Sequence, residues 1–216
     1  MDKIYQYKIE GYIGKNIEFF QRIYNYSLLK IEKYKTELYK INKAKNLTSI
    51  PPVEFEKRVI APAFSMFKVI FYFVKEENLS EIVDIGSGGG LLGIPVSIFL
   101  SVSKELGFLE KNPMTVLVER RKMKAAALML FKAFLRENFK VYEMGVEDYF
   151  AGVKRGKRLC IARALRIENK MAHSMKGKIG ALLTFTSLDD KVLKLFNFSD
   201  VCRLTIDSVE IWMHVV

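Results

Sequence analysis

Residues 83–95 read V-D-I-G-S-G-G-G-L-L-G-I-P. Gly86, Gly88, Gly89, Gly90 and Gly93 fall there between a short apolar strand pattern and an apolar helix pattern. Glycines at such a junction permit positive φ and let the main chain approach a ligand closely. The helix start behind them offers unpaired N–H groups and a partial positive charge. Gly88, Gly90 and Gly93 match G-x-G-x-x-G, the dinucleotide fingerprint. Asp84 argues against that ligand. It stands two residues before the first glycine, and a carboxylate aimed at the site repels a pyrophosphate. S-adenosylmethionine (SAM) has no phosphate and carries a sulfonium and an ammonium, which an acid suits. A second acid, Glu119, ends the next strand pattern, where it can accept hydrogen bonds from ribose hydroxyls. It lies further from the glycines than the usual ~20 residues, and the insertion at 106–113 accounts for the gap. SAM is therefore expected here rather than a nicotinamide or flavin cofactor.

Other chemistry is sparser. Gly145, Val146, Glu147 and Asp148 follow a third strand pattern, where a main-chain N–H can meet an adenine ring and Glu147 or Asp148 can accept from its amine. Arg163 follows a fourth strand pattern and suits a phosphate or a base. Arg155, Lys157 and Arg158 form a basic loop just before that strand, of the kind that binds RNA phosphates. Arg120, Arg121, Lys122 and Lys124 crowd a helix start, an unfavourable place for positive charge unless an anion sits nearby. No serine pairs with His173 or His214 in a recognisable triad, so no catalytic nucleophile or base is assigned. Cys160 and Cys202 are too few for a metal site and read as reduced, packed thiols.

The elements that must position these residues form two blocks. Residues 1–80 read as a helical extension, with helices at 15–45, 53–60 and 63–78 interrupted by Asn46–Pro52 punctuation. Residues 81–216 read as the ligand-binding domain. Strands are expected at 81–85, 114–118, 140–144, 159–162 and 179–186, alternating with helices at 92–104, 121–138 and 167–176. Two further strands, 201–206 and 209–216, form a hairpin around Asp207. Alternating strands and helices imply an α/β fold with a mostly parallel sheet covered on both faces.

Composition narrows the class. The chain has 216 residues, half of them apolar, enough for a full α/β domain and too apolar for disorder. Its net charge is +11, and residues 120–178 hold 16 Lys/Arg against 5 Asp/Glu. A clustered basic surface attracts polyanions, nucleic acid foremost. The first residues, M-D-K-I-Y-Q-Y-K, lack an apolar signal core, and no apolar run reaches the ~20 residues a bilayer needs. A cytoplasmic monomer without membrane or metal partners is expected.

Together these pieces resemble the RsmG family, the glucose-inhibited division protein B family of bacterial 16S rRNA guanine methyltransferases. The matching stretches are N-L-T-S-I at 46–50, the glycine segment at 83–95, the acid-ended strand at 114–119, V-E at 146–147 and A-R-A at 162–164. The resemblance implies a Rossmann-like class I SAM-dependent methyltransferase sheet behind the N-terminal helical extension, and methyl transfer from SAM to N7 of one guanosine in 16S rRNA, free or within the small ribosomal subunit. By matching positions it implies that Gly86 and Leu91 contact SAM, that Val146 and Glu147 flank its adenine, that Asp84 marks its methionine end, and that Arg163 belongs to the site. The chain departs from the family's R-H-x-x-D-S-L stretch, keeping Arg58 but placing Val59, Pro62, Ala63 and Phe64 after it. It also lacks the L-K-G element near 185 and the arginine before the last strand. Two alternatives stay open at this point: a small-molecule methyltransferase, and a non-catalytic SAM- or RNA-binding relative.

Overall fold

Short β-rich runs between helices pair in parallel because each is followed by a helix that must cross back over the sheet. The computed structural model describes residues 4–77, 79, 81–156, 158–196 and 198–216. Five strands run parallel: β1 (Glu81–Ile85), β2 (Met114–Val118), β3 (Phe139–Tyr142), β4 (Leu159–Ala162) and β5 (Ala181–Thr184). β6 (Asp200–Ile206) and β7 (Val209–Val215) complete a seven-stranded sheet of order β3-β2-β1-β4-β5-β7-β6. β7 is antiparallel to both β5 and β6. The turn between them, at Asp207 and Ser208, has positive φ at both residues, as a two-residue hairpin of right-handed twist requires. The Asp207 carboxylate pairs with Lys68 at 2.6 Å, tying the hairpin to a helix on the sheet's face.

The expected helices form except at 53–60, where a 3-10 turn (Pro52–Glu54) and a π turn stand instead, and there are three additions. α2 (Ile17–Lys45), α3 (Ala61–Glu76), α4 (Gly93–Glu105), α5 (Lys122–Leu135) and α7 (Asn169–Met175) follow the sequence pattern. α1 (Ile4–Lys15), α6 (Val146–Gly152) and α8 (Asp190–Phe196) stand where no helix was expected. α1 buries only Ile9 and Ile13, and α6 and α8 have seven residues each, so none carries a long periodic stripe. Ahead of α3, Glu56–Ile60 winds as a single π-helical turn.

Strand alternation divides the core into two layers. Ile82, Leu117, Leu159 and Leu183 join a cluster that includes Phe20, Tyr34, Phe67, Phe99 and Phe131. Val83, Ile85, Val118 and Cys160 face the other way, against Tyr149, Phe150, Met175 and Phe196. The helices before residue 80 share the first cluster with α4 and α5 and have no core of their own. Val59, Ala63 and Phe64, three of the departures from the family pattern, pack within it, with Phe64 4.9 Å from the rings of both Tyr24 and Phe99. Both cysteines are buried free thiols. No described helix is long and apolar enough to cross a membrane.

Candidate functional site

The sheet order reverses between β1 and β4, and ligands of open α/β sheets bind at the carboxyl ends of strands at such a point. The glycine turn leaves β1 there. Val118 O accepts from the N–H groups of Gly86 (2.9 Å) and Ser87 (3.0 Å), lashing the turn to β2. Gly88 has φ +59°, and the nearest atom to a Cβ built there is 3.9 Å away. Its inner face is thus bare main chain toward a cavity. That cavity, about 420 Å3, is lined by the glycine turn, the ends of β2 and β4, and the segments 144–147 and 163–168.

The first acid works beneath the turn. Asp84 shares its face of β1 with Ile82 and is 2% exposed. Its Oδ2 accepts the Gly93 N–H at 3.0 Å, and its main-chain oxygen accepts the Ser87 hydroxyl at 2.8 Å. Burial pushes its carboxyl up to about 7, against the Gly93 and Ser87 hydrogen bonds, while Glu119 adds to the rise and Arg163 opposes it. Glu119 is also buried. Its Oε2 accepts from Gly88 N–H and its Oε1 from Arg121 N–H, each at 2.8 Å. The carboxylate is held by main chain on both oxygens and keeps lone pairs for a ligand.

Arg163 extends from the end of β4 into the same place. Nη2 donates to the carbonyl of Arg58, within the π-helical turn. A π turn re-aims main-chain groups and recurs at functional sites. Nη1 is buried with no partner among the described residues, an arrangement whose cost points to an anionic or acceptor ligand. Burial and the neighbouring Arg58 charge depress its pKa, with Tyr34 and Asp84 acting the other way.

The N-terminal helices brace the turn from the side. Tyr34, fully buried on α2, donates its hydroxyl to Gly89 O at 3.1 Å. A Cβ on Gly89 would meet Leu47 O at 2.8 Å. Leu47 is held there because the Asn42 amide clasps Thr48, accepting its N–H and donating to its carbonyl. Nothing in the sequence pointed to Tyr34, and Leu47 stood out only as part of the N-L-T-S-I stretch at 46–50, with no role attached. A tyrosine on an apolar helix face reads as ordinary core, and nothing marks its partner.

Of the residues expected in a SAM site, Asp84, Gly86, Gly88, Leu91, Glu119, Val146, Glu147 and Arg163 all line this cavity. Arg120, Arg121, Lys124 and Arg166 add a basic rim, and Glu168 an acid. Val146 and Glu147 open helix α6 rather than lying in a loop.

The basic loop expected to bind RNA does not join the site. Arg155 and Arg158 precede β4 and so lie at the opposite end of the sheet from the glycine turn. Arg158 is committed to the fold: its Nε pairs with Glu81 at the start of β1, and its Nη1 donates to the carbonyls of Lys154 and Lys178. Lys157 lies outside the described residues. Replacing Arg158 with alanine strands a partly buried Glu81, which should cost about 1–3 kcal/mol. A urea midpoint would show the loss, with ligand affinity at the distant cavity unchanged; reduced affinity would return Arg158 to the site.

Comparison with known proteins follows this geometry. The family described as rRNA small subunit methyltransferase G matches residues 27–186. Ribosomal RNA small subunit methyltransferase G of Borrelia garinii subsp. bavariensis is 32% identical over 123 residues, 55% of this chain and 52% of that protein. The Borreliella burgdorferi protein of the same name gives the same identity and coverage. The chain thus spans about half the length of the curated relatives it matches. A protein assigned as a caffeoyl-CoA O-methyltransferase from Staphylococcus aureus superposes with a TM-score of 0.52 and 12% identity, over 84% of this chain and 92% of that one. The bifunctional kinase-methyltransferase WbdD also gives 0.52, at 9% identity over 79% and 42%. At these identities the likeness shows the fold, and it bears out the Rossmann-like methyltransferase sheet.

Proposed function

The chain belongs to the rRNA small subunit methyltransferase G family, and from that premise we propose that it binds SAM over the glycine turn and methylates N7 of a guanosine in 16S rRNA. The observation that carries the reading is the unpaired, buried Nη1 of Arg163 beside the cavity. A carboxylate is the natural partner for such a guanidinium, and SAM brings one at its methionine end. Asp84, buried nearby, suits the ammonium of the same moiety. Glu119, fixed by two main-chain N–H groups, is placed to accept from the ribose hydroxyls. Val146 and Glu147 would flank the adenine, and the bare face at Gly88 allows the ligand close to the main chain.

When bound, SAM supplies an electrophilic methyl on a sulfonium. Guanine N7 is an in-plane lone pair with no proton to lose at neutral pH, so the transfer needs no general base. The chain's own work is to hold donor and acceptor in line and to keep water out. The lack of a nucleophile–base pair is consistent with that chemistry. The basic rim, Arg120, Arg121, Lys124 and Arg166, supplies an electrostatic approach for the RNA backbone. The same reading makes the protein a cytoplasmic monomer working on rRNA or the small subunit.

Labelled SAM tests the proposal directly. Methyl transfer is expected to 16S rRNA or to small ribosomal subunits and not to a small-molecule extract. Label entering only small molecules, or SAM binding with no transfer to any RNA form, would overturn it.

A further inference from the structure

A second cavity, about 810 Å3, opens beside the first, over the carboxyl ends of β4 and β5. That is ample for a nucleotide. The two cavities share Ala164, Leu165, Arg166 and Glu168, so one short segment forms the wall between them. Ala164 at the head of this wall has φ +53°, a left-handed conformation that costs a non-glycine residue about 1 kcal/mol. The reversal lets Arg163 enter the first cavity while Arg166 and Glu168, both exposed, reach the mouth of the second. Leu165 and Leu188 offer apolar surface to a planar ring, and Lys170 and Lys191 add positive charge for its phosphate.

Among the described residues, Glu168 is the one carboxylate that borders both cavities. It stands at the N-cap of α7 but makes no capping hydrogen bond, and its side chain enters no ion pair among the described residues. The carboxylate is free to accept. A guanine whose N7 faces a methyl donor leaves its N1–H and N2 amino group for recognition, two adjacent donors that match one carboxylate. Adenine presents an unprotonated N1 there, a lone pair set against a negative charge.

Resting on the rRNA guanosine reading above, we propose that the second cavity receives the acceptor guanine, swung out of its stack, and that Glu168 selects it over adenine through N1–H and the N2 amine. Arg166 and the two lysines hold the flanking phosphate.

Glu168→Gln and Glu168→Ala, both exposed changes that should leave the melting temperature alone, test this in two arms. SAM affinity, measured by calorimetry, should stay within about twofold of wild type, while kcat/KM for rRNA falls about ten- to hundredfold, the scale of a lost charged hydrogen bond. In the second arm, RNA carrying inosine at the target position, which lacks the N2 amine, should slow the wild-type enzyme about tenfold and Glu168→Ala hardly at all. Three outcomes overturn the assignment: unchanged kcat/KM in Glu168→Ala, an inosine penalty that persists in the variant, or SAM affinity that falls in step with activity, which would move Glu168 to the donor site. A wild-type enzyme that methylates no RNA fails the underlying reading instead, and the assignment falls with it.

Discussion

Replacing Gly93 with alanine should destabilise the fold by about 3–5 kcal/mol and abolish measurable SAM binding. A Cβ at this position would lie 2.3 Å from Leu117 Cδ2, 2.6 Å from Asp84 Oδ2 and 3.0 Å from Asp84 Cβ. Leu117 is fully buried, so its methyl has nowhere to retreat. Overpacking of this kind costs about 1–3 kcal/mol. Asp84 must also move, which breaks its hydrogen bond from the Gly93 N–H and leaves a buried carboxylate with less support. Losing a hydrogen bond to a buried charged group adds about 1.5–3 kcal/mol. Against a typical total stability of about 5–15 kcal/mol the variant would fold only marginally. Gly11→Ala is the natural control, since nothing lies within 4 Å of a Cβ in that helix and it should stabilise by about 0.5–1 kcal/mol. Urea midpoints and equilibrium dialysis with labelled SAM would decide the matter. A Gly93→Ala protein with wild-type midpoint and affinity would show that the turn does not rest on Asp84 as described.

That contact also shows what was legible in the sequence. The glycine run, the acids at the ends of β1 and β2, and the strand–helix alternation are local patterns, and the expected strands and the helices α2, α3, α4, α5 and α7 formed within a few residues of their expected places. What the sequence hid is pairing across distance. Arg158 looked like a free basic loop residue because its partner, Glu81, lies 77 residues earlier. Only the parallel register of β1 and β4 brings them together, with Ile82 opposite Leu159. The π-helical turn at Glu56–Ile60 has no signature in its residue types, yet it presents the Arg58 carbonyl to Arg163. Tyr34 is invisible for the same reason, and Leu47 showed only as part of the N-L-T-S-I stretch without its role: each acts on Gly89 from a helix or turn more than 40 residues away. The N-terminal helices were read as an extension, and here they form one wall of the glycine turn.

The departures from the family pattern take on a definite meaning in this setting. Val59 and Ala63 are fully buried, and Phe64 packs on Tyr24, Phe67 and Phe99. These positions build the layer behind the site. Thr184 and Thr186, where the family has its L-K-G element, line the second cavity instead. The first cavity keeps the residues expected of it, whereas the second is lined by threonines where the family pattern has its L-K-G element.

Two buried groups should give this protein opposing pH dependences that nearly cancel. Asp84 is raised from 3.8 to about 7, so between those values the folded chain holds a proton that the unfolded chain releases. Stability from Asp84 is therefore greatest at low pH and falls by about 4 kcal/mol as pH rises from about 4 to 7. His214 behaves the other way. It is fully buried on β7 beside Phe198, both ring nitrogens lack partners among the described residues, and burial lowers its pKa from 6.5 to about 4. The unfolded chain takes up a proton that the folded one refuses, so about 3 kcal/mol of stability is lost as pH falls from 6.5 to 4. The windows overlap, so these two contributions largely offset each other between pH 4 and 7. Each substitution then uncovers the other group. His214→Leu should leave a protein that weakens as pH rises through this range. Asp84→Asn should leave one that strengthens, and it should match or exceed wild-type stability at pH 8. Asp84→Asn should also bind SAM at least tenfold more weakly, because the charge that is costly in the empty fold is the one the ligand's ammonium requires. Urea titrations at half-unit pH steps would read all three curves. Parallel curves for the two variants would show that neither group titrates as its burial demands.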